Sequence, residues 1–407
     1  MLLTLALRNL WRNRRRSLLT LSAMVVSSAL LILALGVFSG MFADMLASGT
    51  EQYHGHMVIS ARGYQEDRDL FRTFAPSDIN LQTLEARPEI LAAAPRLRSF
   101  GLISHRTQSE PAELLGIDPG REARVTTLSQ KLQKGEPLHA EDQTGALIGS
   151  GLARKLGIDI GGELVILTQA ADGSIGNDLL TVRGIFASGD RHQDNALVLV
   201  QLGWLRQLLV LPNAQHEIAL RLGEPLLAAP LADTLATSLP AGFEVLDWGD
   251  LLPQMRDAIA AYDVSRLIMV GVLYLATGLG ILNTFFMSVL ERIREFGLLM
   301  SLGVRPWQIR LLVLTEALLM GLFSLLIGVS SGLLLTWYMA QVGVDLSDYI
   351  SPISYAGGTI LPRLHAVFIF DNFFIPALLL LLISLLAAFL PANRAAKLHP
   401  ATALREG

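Results

Sequence analysis

Residues 267–290 read LIMVGVLYLATGLGILNTFFMSVL, and this apolar run leads directly into the charged segment ERIREFG at residues 291–297. A run of about 20 apolar residues is long enough to cross the hydrocarbon core of a bilayer as a helix. A helix is expected because a backbone in lipid has to satisfy its own hydrogen bonds. The stretch therefore predicts a membrane-spanning helix that ends in a charged turn.

Three further apolar runs lie on either side of this stretch. The four predicted spans occupy residues 18–46, 264–290, 309–340 and 372–392. The first run is too long for the apolar part of a cleaved signal peptide, so we expect it to remain as an anchor. The 407 residues are 52% hydrophobic and only 17% charged, as expected when membrane spans are combined with a soluble domain.

Positively charged residues are grouped close to the ends of the spans. They occupy an amphipathic, basic arm at residues 1–17, the connection at residues 291–308 and the tail at residues 393–407. Arginine and lysine are retained in cytoplasmic connections, so we expect these segments and both termini to be cytoplasmic. Residues 47–263 and the loop at residues 341–371 then lie on the outer side.

The outer segment at residues 47–263 has the composition of a soluble domain, and strand-like runs alternate in it with helical patterns. Strands are predicted at residues 56–60, 146–149, 164–168, 179–182 and 196–200, and helices at residues 81–91, 151–156 and 202–209. We therefore expect a membrane protein with four transmembrane α-helices and a large α+β domain between the first and second spans. Gly- and Pro-rich stretches suggest two subdomains.

A short amphipathic helix is predicted at the cytoplasmic surface, between the second and third spans. Its charged residues are Glu291, Arg292, Arg294 and Glu295, and its apolar or small residues include Phe296, Gly297, Leu298, Leu299 and Gly303. We expect Phe296 and Leu299 to enter a groove of a partner protein. An ordinary cytoplasmic hairpin with basic anchors is the alternative that the pattern leaves open.

Four motifs carry a family resemblance. They are ERIREFG at residues 291–297 with SLGVRPWQI at 301–309, PANRAAKLHPATALR at 391–405, LGIDP at 115–119 and IGSGLARKLG at 148–157. The first resembles the coupling helix, and the second the closing motif, of FtsX-type ABC transporter permeases. This family includes the MacB efflux pump and the lipoprotein-releasing (LolC/LolE-type) permeases, which the chain resembles most. The resemblance implies a MacB-like periplasmic domain and a bacterial inner-membrane location.

No phosphate-binding loop of the pattern G-x-x-x-x-G-K-[ST] occurs in these 407 residues, so ATP and Mg²⁺ are not expected to bind to this chain. The resemblance implies that a separate cytoplasmic ABC ATPase, in two copies, binds them. It also implies a second permease subunit, identical or homologous, and membrane lipid as partners. A periplasmic chaperone or membrane-fusion protein is a further candidate. The net charge of −4 argues against nucleic acid.

An apolar stripe is predicted in the outer half of the first span. Its members, at helical spacing, are Phe38, Met41, Phe42 and Met45. Methionine and aromatic side chains adapt to irregular apolar partners. The stripe either packs against lipid or another span, or lines a cavity for acyl chains with Met269 and Tyr274 as the opposite wall.

Two polar residues, Asn283 and Glu316, fall inside predicted spans. Ionisable residues in a span are candidates for function. We expect Glu316 to meet Arg310, Arg305 or a polar backbone end and to have a structural or coupling role, with a proton relay as the less favoured reading.

Small residues recur along two spans, at Gly36 and Gly40 in the first and at Ser324, Gly328 and Gly332 in the third. Small side chains let membrane helices approach closely. The pattern leaves open whether these faces pack within one chain or against a second permease.

No catalytic or metal site is expected in the chain. His54 and His56 alternate as ligands on a strand would, but no third ligand follows at a suitable spacing. The chain has no cysteine, which excludes disulfides and thiolate ligands. The protein is therefore not expected to be an enzyme by itself.

The resemblance implies a protein that transmits motion from a cytoplasmic ATPase to its outer domain. Release of a lipoprotein from the inner membrane is the first expectation for its function. Export of a peptide, toxin or small amphiphile through a MacB-like tripartite pump is one alternative. Regulation of a cell-wall hydrolase without transport, as in FtsX, is another.

Overall fold

Two helices begin the chain. The computed structural model describes residues 2–12, 14–350, 353–355, 358–360 and 362–398. Helix α1 spans Leu2–Arg12, helix α2 spans Arg14–Gly49, and a π-helical turn at Thr50–His54 follows α2. Residues 399–407 of the predicted tail lie outside the described residues.

The outer domain is built on one mixed sheet. Within residues 44–259, all of which the structure describes, its strands are β1 Met57–Ala61, β2 Ile90–His105, β3 Gln108–Ile117, β4 Leu132–Gly135, β5 Gly145–Gly149, β6 Glu163–Gln169, β7 Ile175–Phe186, β8 Leu197–Gln201, β9 Glu217–Leu222 and β10 Phe243–Asp247. Their order is β10-β1-β9-β2-β3-β8-β5-β7-β4, and β6 pairs with β2 and β7. The pairs β3–β8 and β5–β7 are parallel, and the other pairs are antiparallel.

Short helices connect these strands. They are α3 Tyr64–Asp67, α4 Leu81–Glu85, α5 Pro119–Val125, α6 Ser150–Leu156, α7 Arg191–Ala196, α8 Leu202–Leu208, α9 Ala228–Ser238 and α10 Trp248–Leu251. Side chains cap several of them. Asp118, for example, accepts hydrogen bonds from the backbone N–H groups of Gly120 and Arg121 at the start of α5, which satisfies donors that the helix cannot use.

The strands predicted from alternation are present, as β1, β5, β6, β7 and β8. The helix predicted at residues 81–91 is too long, because α4 ends at Glu85 and β2 begins at Ile90. Pro88 lies between them, and a proline disfavours helical backbone in the residue before it. Most residues in the first half of β2 are buried, so this strand lacks the alternation that would have revealed it.

The remaining helices belong to the membrane part. They are α11 Pro253–Glu291, α12 Ile293–Ser301, α13 Pro306–Gln341 and α14 Asp371–Ala396. The strands β11 Val344–Asp345 and β14 Arg363–Leu364 pair with each other, as do β12 Ile353–Tyr355 and β13 Gly358–Ile360. Among the described residues, four helical segments are long and apolar enough to cross a membrane: Ser17–His54, Pro253–Glu291, Pro306–Gln341 and Asp371–Ala396. The predicted fold class is thereby confirmed.

The chain divides into two compact units. One comprises residues 44–259 and 350–361, and the other comprises residues 1–43, 260–349 and 362–407. The outer segment 44–259 thus belongs to a single unit, together with residues 350–361. The membrane unit has a core of its own, to which α1, α2, α11, α13 and α14 contribute.

Small residues bring α2 and α13 together inside this chain. A Cβ atom added to Gly328 would lie 3.1 Å from the Cβ of Ser28, and one added to Gly332 would lie 3.0 Å from the Cβ of Ile32. Contacts this short show that the two helices approach closely because glycine occupies these positions. The small-residue face of the third span therefore packs within one chain.

Candidate functional site

The predicted coupling region folds as a short helix between two long ones. Helix α11 ends at Glu291, α12 spans Ile293–Ser301, and Gly303 has a φ of +94°, which favours glycine. Pro306 is the first residue of α13, and the backbone N–H of Arg305 donates to Oε1 of Gln308 at 2.8 Å. Proline at this position and a side-chain cap are typical of a helix start.

A buried ion pair joins this region to the third span. Nη1 of Arg292 donates to both carboxylate oxygens of Glu316, each at a distance of 3.0 Å. Only 6% of Arg292 and 4% of Glu316 are exposed. The expectation that Glu316 meets Arg310 or Arg305 is therefore wrong, because its carboxylate turns towards the end of α11 rather than towards its own helix.

Helix α1 completes the polar cluster. Nδ2 of Asn9 donates to Oε1 of Glu316 at 2.6 Å, and Nη2 of Arg12 donates to Oε1 of Glu295. The other carboxylate oxygen of Glu295 accepts from Nε of Arg292 at 3.1 Å. We call these five side chains, Asn9, Arg12, Arg292, Glu295 and Glu316, the node.

Asn9 and Arg12 were not predicted as site residues from the sequence. The amphipathic pattern of α1 could have indicated them, since Ala6 is buried in the membrane core and Leu10 packs against it. Residues 9 and 12 lie three apart and therefore share a face of the helix. A small cavity of about 30 Å³ borders the node and is lined by Ser17, Thr284 and Ser288 among others, which is room for about one water molecule.

Phe296 is not presented to a partner, contrary to the expectation. Its side chain is fully buried in the membrane core of this chain, and the guanidinium carbon of Arg292 lies 4.9 Å from the centre of its ring. Gly297 is also buried, and Leu299 is partly buried against the same core. These residues hold α12 in place.

The outward face of α12 and the loop after it carries other residues. Glu291, Arg294 and Gly303 are exposed. Leu298 is 53% exposed and Leu302 is 75% exposed. The predicted coupling residues are thus divided by the fold into a buried set and an exposed set.

The stripe of the first span packs partly against the second long helix. The ring centres of Phe42 and Tyr262 are 4.1 Å apart, and those of Phe38 and Tyr262 are 6.0 Å apart. Met41 is partly buried and Met45 is buried. The packing reading is therefore correct for Phe42, whereas Phe38 remains 37% exposed.

The proposed opposite wall is located elsewhere. Tyr274 is 2% exposed, and its hydroxyl donates to the carbonyl oxygen of Pro376 in α14 at 2.6 Å. Met269 packs against the membrane core. The aromatic partner of Phe38 and Phe42 is Tyr262. Asn283, the second polar residue of the predicted spans, is exposed on α11.

Two family models match the chain. The FtsX-like permease C-terminal model matches residues 267–400. The MacB-like periplasmic core domain model matches residues 17–237. Together they cover most of the outer domain, the coupling region and nearly all of the four spans.

Relatives along nearly the whole chain are permeases. The lipoprotein-releasing system transmembrane protein LolC of Xylella fastidiosa is 25% identical over 403 residues, which cover 96% of this chain and 93% of that protein. LolE of Haemophilus influenzae is 22% identical and covers 97% of both chains. The macrolide export ATP-binding/permease protein MacB of Chromobacterium violaceum is 24% identical, and the match covers 96% of this chain but 58% of that protein.

Among solved structures, the periplasmic region of MacB from Actinobacillus actinomycetemcomitans is similar to this chain. The TM-score is 0.38 and the sequence identity is 15%, and the match covers 52% of this chain and 95% of that chain.

Proposed function

The chain belongs to the FtsX-like family of ABC transporter permeases with a MacB-like periplasmic core, and on that premise we propose that it drives lipoprotein release from the inner membrane. Its four apolar helices make it a multi-pass inner-membrane protein. In this proposal a cytoplasmic ABC ATPase binds ATP and Mg²⁺, and this chain converts the hydrolysis into movement without being an enzyme itself.

The observation that carries the proposal is the node. The 407 residues contain no phosphate-binding loop, so in this proposal the energy of ATP enters through a contact with the ATPase. The node ties α12 to the third span through Arg292 and Glu316 and to α1 through Glu295 and Arg12, and Asn9 ties α1 to Glu316 of the third span. In this proposal a displacement of α12 is passed to both α1 and α13.

The ATPase contact would be the exposed side of α12 and the following loop. Leu298, Leu302 and Trp307 are all more than half exposed, and Arg294 lies beside them. Large apolar side chains on a surface that faces water mark a protein interface. This placement requires the coupling region and both termini to be cytoplasmic, as the basic clusters at the span ends predict.

The choice of substrate rests on the relatives. LolC and LolE are matched over more than nine-tenths of their lengths, and both are named for lipoprotein release. A second permease subunit completes the complex in this proposal. Macrolide export, for which MacB is named, is the competing substrate class.

Reconstitution with the ATPase tests this function. The chain, a candidate ABC ATPase from the same genome and any second permease would be placed in lipid vesicles that contain a labelled lipoprotein. We expect ATP to release the lipoprotein to a soluble acceptor, and a hydrolysis-deficient ATPase to abolish release. Transport of a labelled macrolide without lipoprotein release would favour the MacB-like alternative. If neither is moved but a wall hydrolase is activated, the protein is a regulator of the FtsX kind.

A further inference from the structure

A buried tyrosine is among the residues that anchor the outer end of helix α2 inside the outer domain. The π-helical turn at Thr50–His54 follows α2, and it carries Tyr53, which is 6% exposed. Nothing in the sequence pattern singles this residue out. It occupies the last turn of the helix that begins in the first span, so its contacts determine how that helix is attached to the domain.

Tyr53 is held by two adjacent strands. Its hydroxyl donates to Oε1 of Glu113 in β3 at 2.7 Å. The Nη1 atom of Arg98 in β2 donates both to this hydroxyl and to the Glu113 carboxylate. The guanidinium carbon of Arg98 also lies 5.0 Å from the centre of the tyrosine ring, at the distance of a cation–π contact.

Arg98 is itself fixed by a buried charged layer. Its Nε and Nη2 donate to Oε1 of Glu217 in β9 at 2.9 and 2.6 Å. Burial alone raises the pKa of Glu217, but the guanidinium groups of Arg98 and Arg96 outweigh it and hold the pKa well below its usual range. The carboxylate therefore stays ionised, and the layer stays paired, at any physiological pH.

These partners lie on the strands β9, β2 and β3, which are neighbours in the sheet. Buried charged hydrogen bonds are stronger and more directional than apolar contacts, and breaking one partner of such a set is costly. The attachment of Tyr53 is thus stiff as well as buried. At this point the end of α2 meets charged hydrogen bonds rather than an apolar surface over which it could slide or rotate.

We propose that Tyr53 is a positioning residue that fixes the outer end of α2 to β2 and β3 and so delivers movement of the first span to the outer domain. This inference rests on the proposed function, because it supplies the outer half of the same path. In this path the node receives the movement of α12 at one end of the spans. The contacts of Tyr53 transmit the movement to β2 and β3 at the other end.

Tyr53→Phe is the sharpest variant, because it removes the hydroxyl and keeps the ring over which Arg98 lies. Tyr64→Phe is the matched control. Tyr64 is equally buried in the same domain and stacks on His216 with ring centres 4.7 Å apart, but it belongs to α3 and not to the end of α2.

Hydrogen–deuterium exchange on the complex with its ATPase tests the inference without a substrate. In the wild type, ATP binding to a hydrolysis-deficient ATPase should change the exchange of backbone amides in β2 and β3. Tyr53→Phe should reduce that change at least about fivefold, while ATPase association and basal hydrolysis stay at the wild-type level and Tyr64→Phe behaves as wild type. If Tyr53→Phe does not assemble, Glu113→Gln weakens the same contact and should give the same result.

Three outcomes overturn the inference: no nucleotide-dependent change in the wild type, a full change in Tyr53→Phe, or an equal loss in Tyr64→Phe. A wild-type complex that shows the change but releases no lipoprotein contradicts the proposed substrate and leaves the Tyr53 path intact. Lipoprotein released per ATP provides the second readout. It should fall with Tyr53→Phe and not with Tyr64→Phe.

Discussion

Arg292, directly after the last residue of α11, donates from one nitrogen to both carboxylate oxygens of Glu316 in α13 at 3.0 Å. Arg292 follows the second span, Glu316 belongs to the third, and the two side chains are buried together. Burial of two charges costs desolvation free energy, and their mutual attraction offsets this cost only while both charges are present. The junction between α12 and the spans therefore depends on both Arg292 and Glu316.

Replacing Glu316 should destabilise the protein. Glu316→Gln removes the buried counterion of Arg292 and leaves only the more exposed Glu295 to balance its charge; losses of up to about 3–5 kcal/mol are typical when a buried pair is broken. Thermal unfolding of the purified protein in detergent measures it. Asn283→Leu, at the exposed polar position of the second span, is the control and should change stability by less than about 0.5 kcal/mol. Equal stability of the two variants would show that the pair does not hold the junction.

Truncating the exposed leucines should weaken ATPase binding without unfolding the protein. Leu298→Ala with Leu302→Ala removes the apolar contact face, and a loss of about 2 kcal/mol, or roughly 30-fold in Kd, is expected for anchor residues. Titration of the ATPase against the permease in lipid discs measures it. An unchanged Kd would place the contact elsewhere.

Phe296→Ala separates burial from partner contact. The side chain is fully buried in this chain, and loss of a buried phenylalanine costs about 3–5 kcal/mol. We therefore expect a lowered unfolding temperature, measured in the absence of any ATPase. A stable Phe296→Ala protein with a defect only in ATPase binding would restore the original interpretation of this residue as a partner anchor.

Single cysteines test the topology, because the natural chain contains none. Gln130, Ser347 and Arg305 are all exposed, so a cysteine at each position should be accessible to a reagent. A membrane-impermeant maleimide added to intact spheroplasts should label Gln130→Cys and Ser347→Cys, and should label Arg305→Cys only after lysis. Labelling of Arg305→Cys in intact cells would reverse the orientation.

The stripe of the first span should respond unevenly to substitution. Phe38→Asp with Met41→Asp places charge where an acyl chain would bind, at a cost of about 2–3 kcal/mol each near the bilayer centre and less towards the interface. Lipoprotein release should fail while the complex still assembles. Phe42→Ala, which removes the ring contact with Tyr262, should instead lower the unfolding temperature. Collapse of assembly in the aspartate variant would assign the whole stripe to packing.

The outer domain should lose stability in mild acid through His56. Burial, and then the charge of Arg221, lower the pKa of His56 to about 4, whereas the unfolded value is about 6.5. The neutral imidazole therefore stabilises the fold fully above pH 6.5, and this contribution is lost as the pH falls towards 4. The free energy of unfolding is measured at pH 7.5 and at pH 5 from the fluorescence of the outer domain. The loss of stability between the two pH values should be smaller in His56→Gln. An identical loss in that variant would assign the acid sensitivity to other groups.

The membrane part and the coupling motif could be read from local sequence. Each span is a continuous apolar run, and the transfer free energy of about 20 apolar residues depends on composition rather than on neighbours. Alternating strands such as β6, in which every second residue is buried, are likewise local patterns. The first half of β2 was missed because its residues are nearly all buried and therefore do not alternate.

The sequence by itself determined the number of spans, the position of the outer domain and the location of the short helix for which we predict a coupling role. Only the tertiary structure decided that Phe296 points inwards and that Glu316 meets Arg292 and Asn9, which are 24 and 307 residues away along the chain. It also decided that Arg96 and Arg98 are buried among carboxylates, where composition predicts exposed residues. Such pairings depend on how distant helices and strands pack. No local pattern encodes them, because a charged residue is stabilised in the interior only by the partner that the fold brings to it.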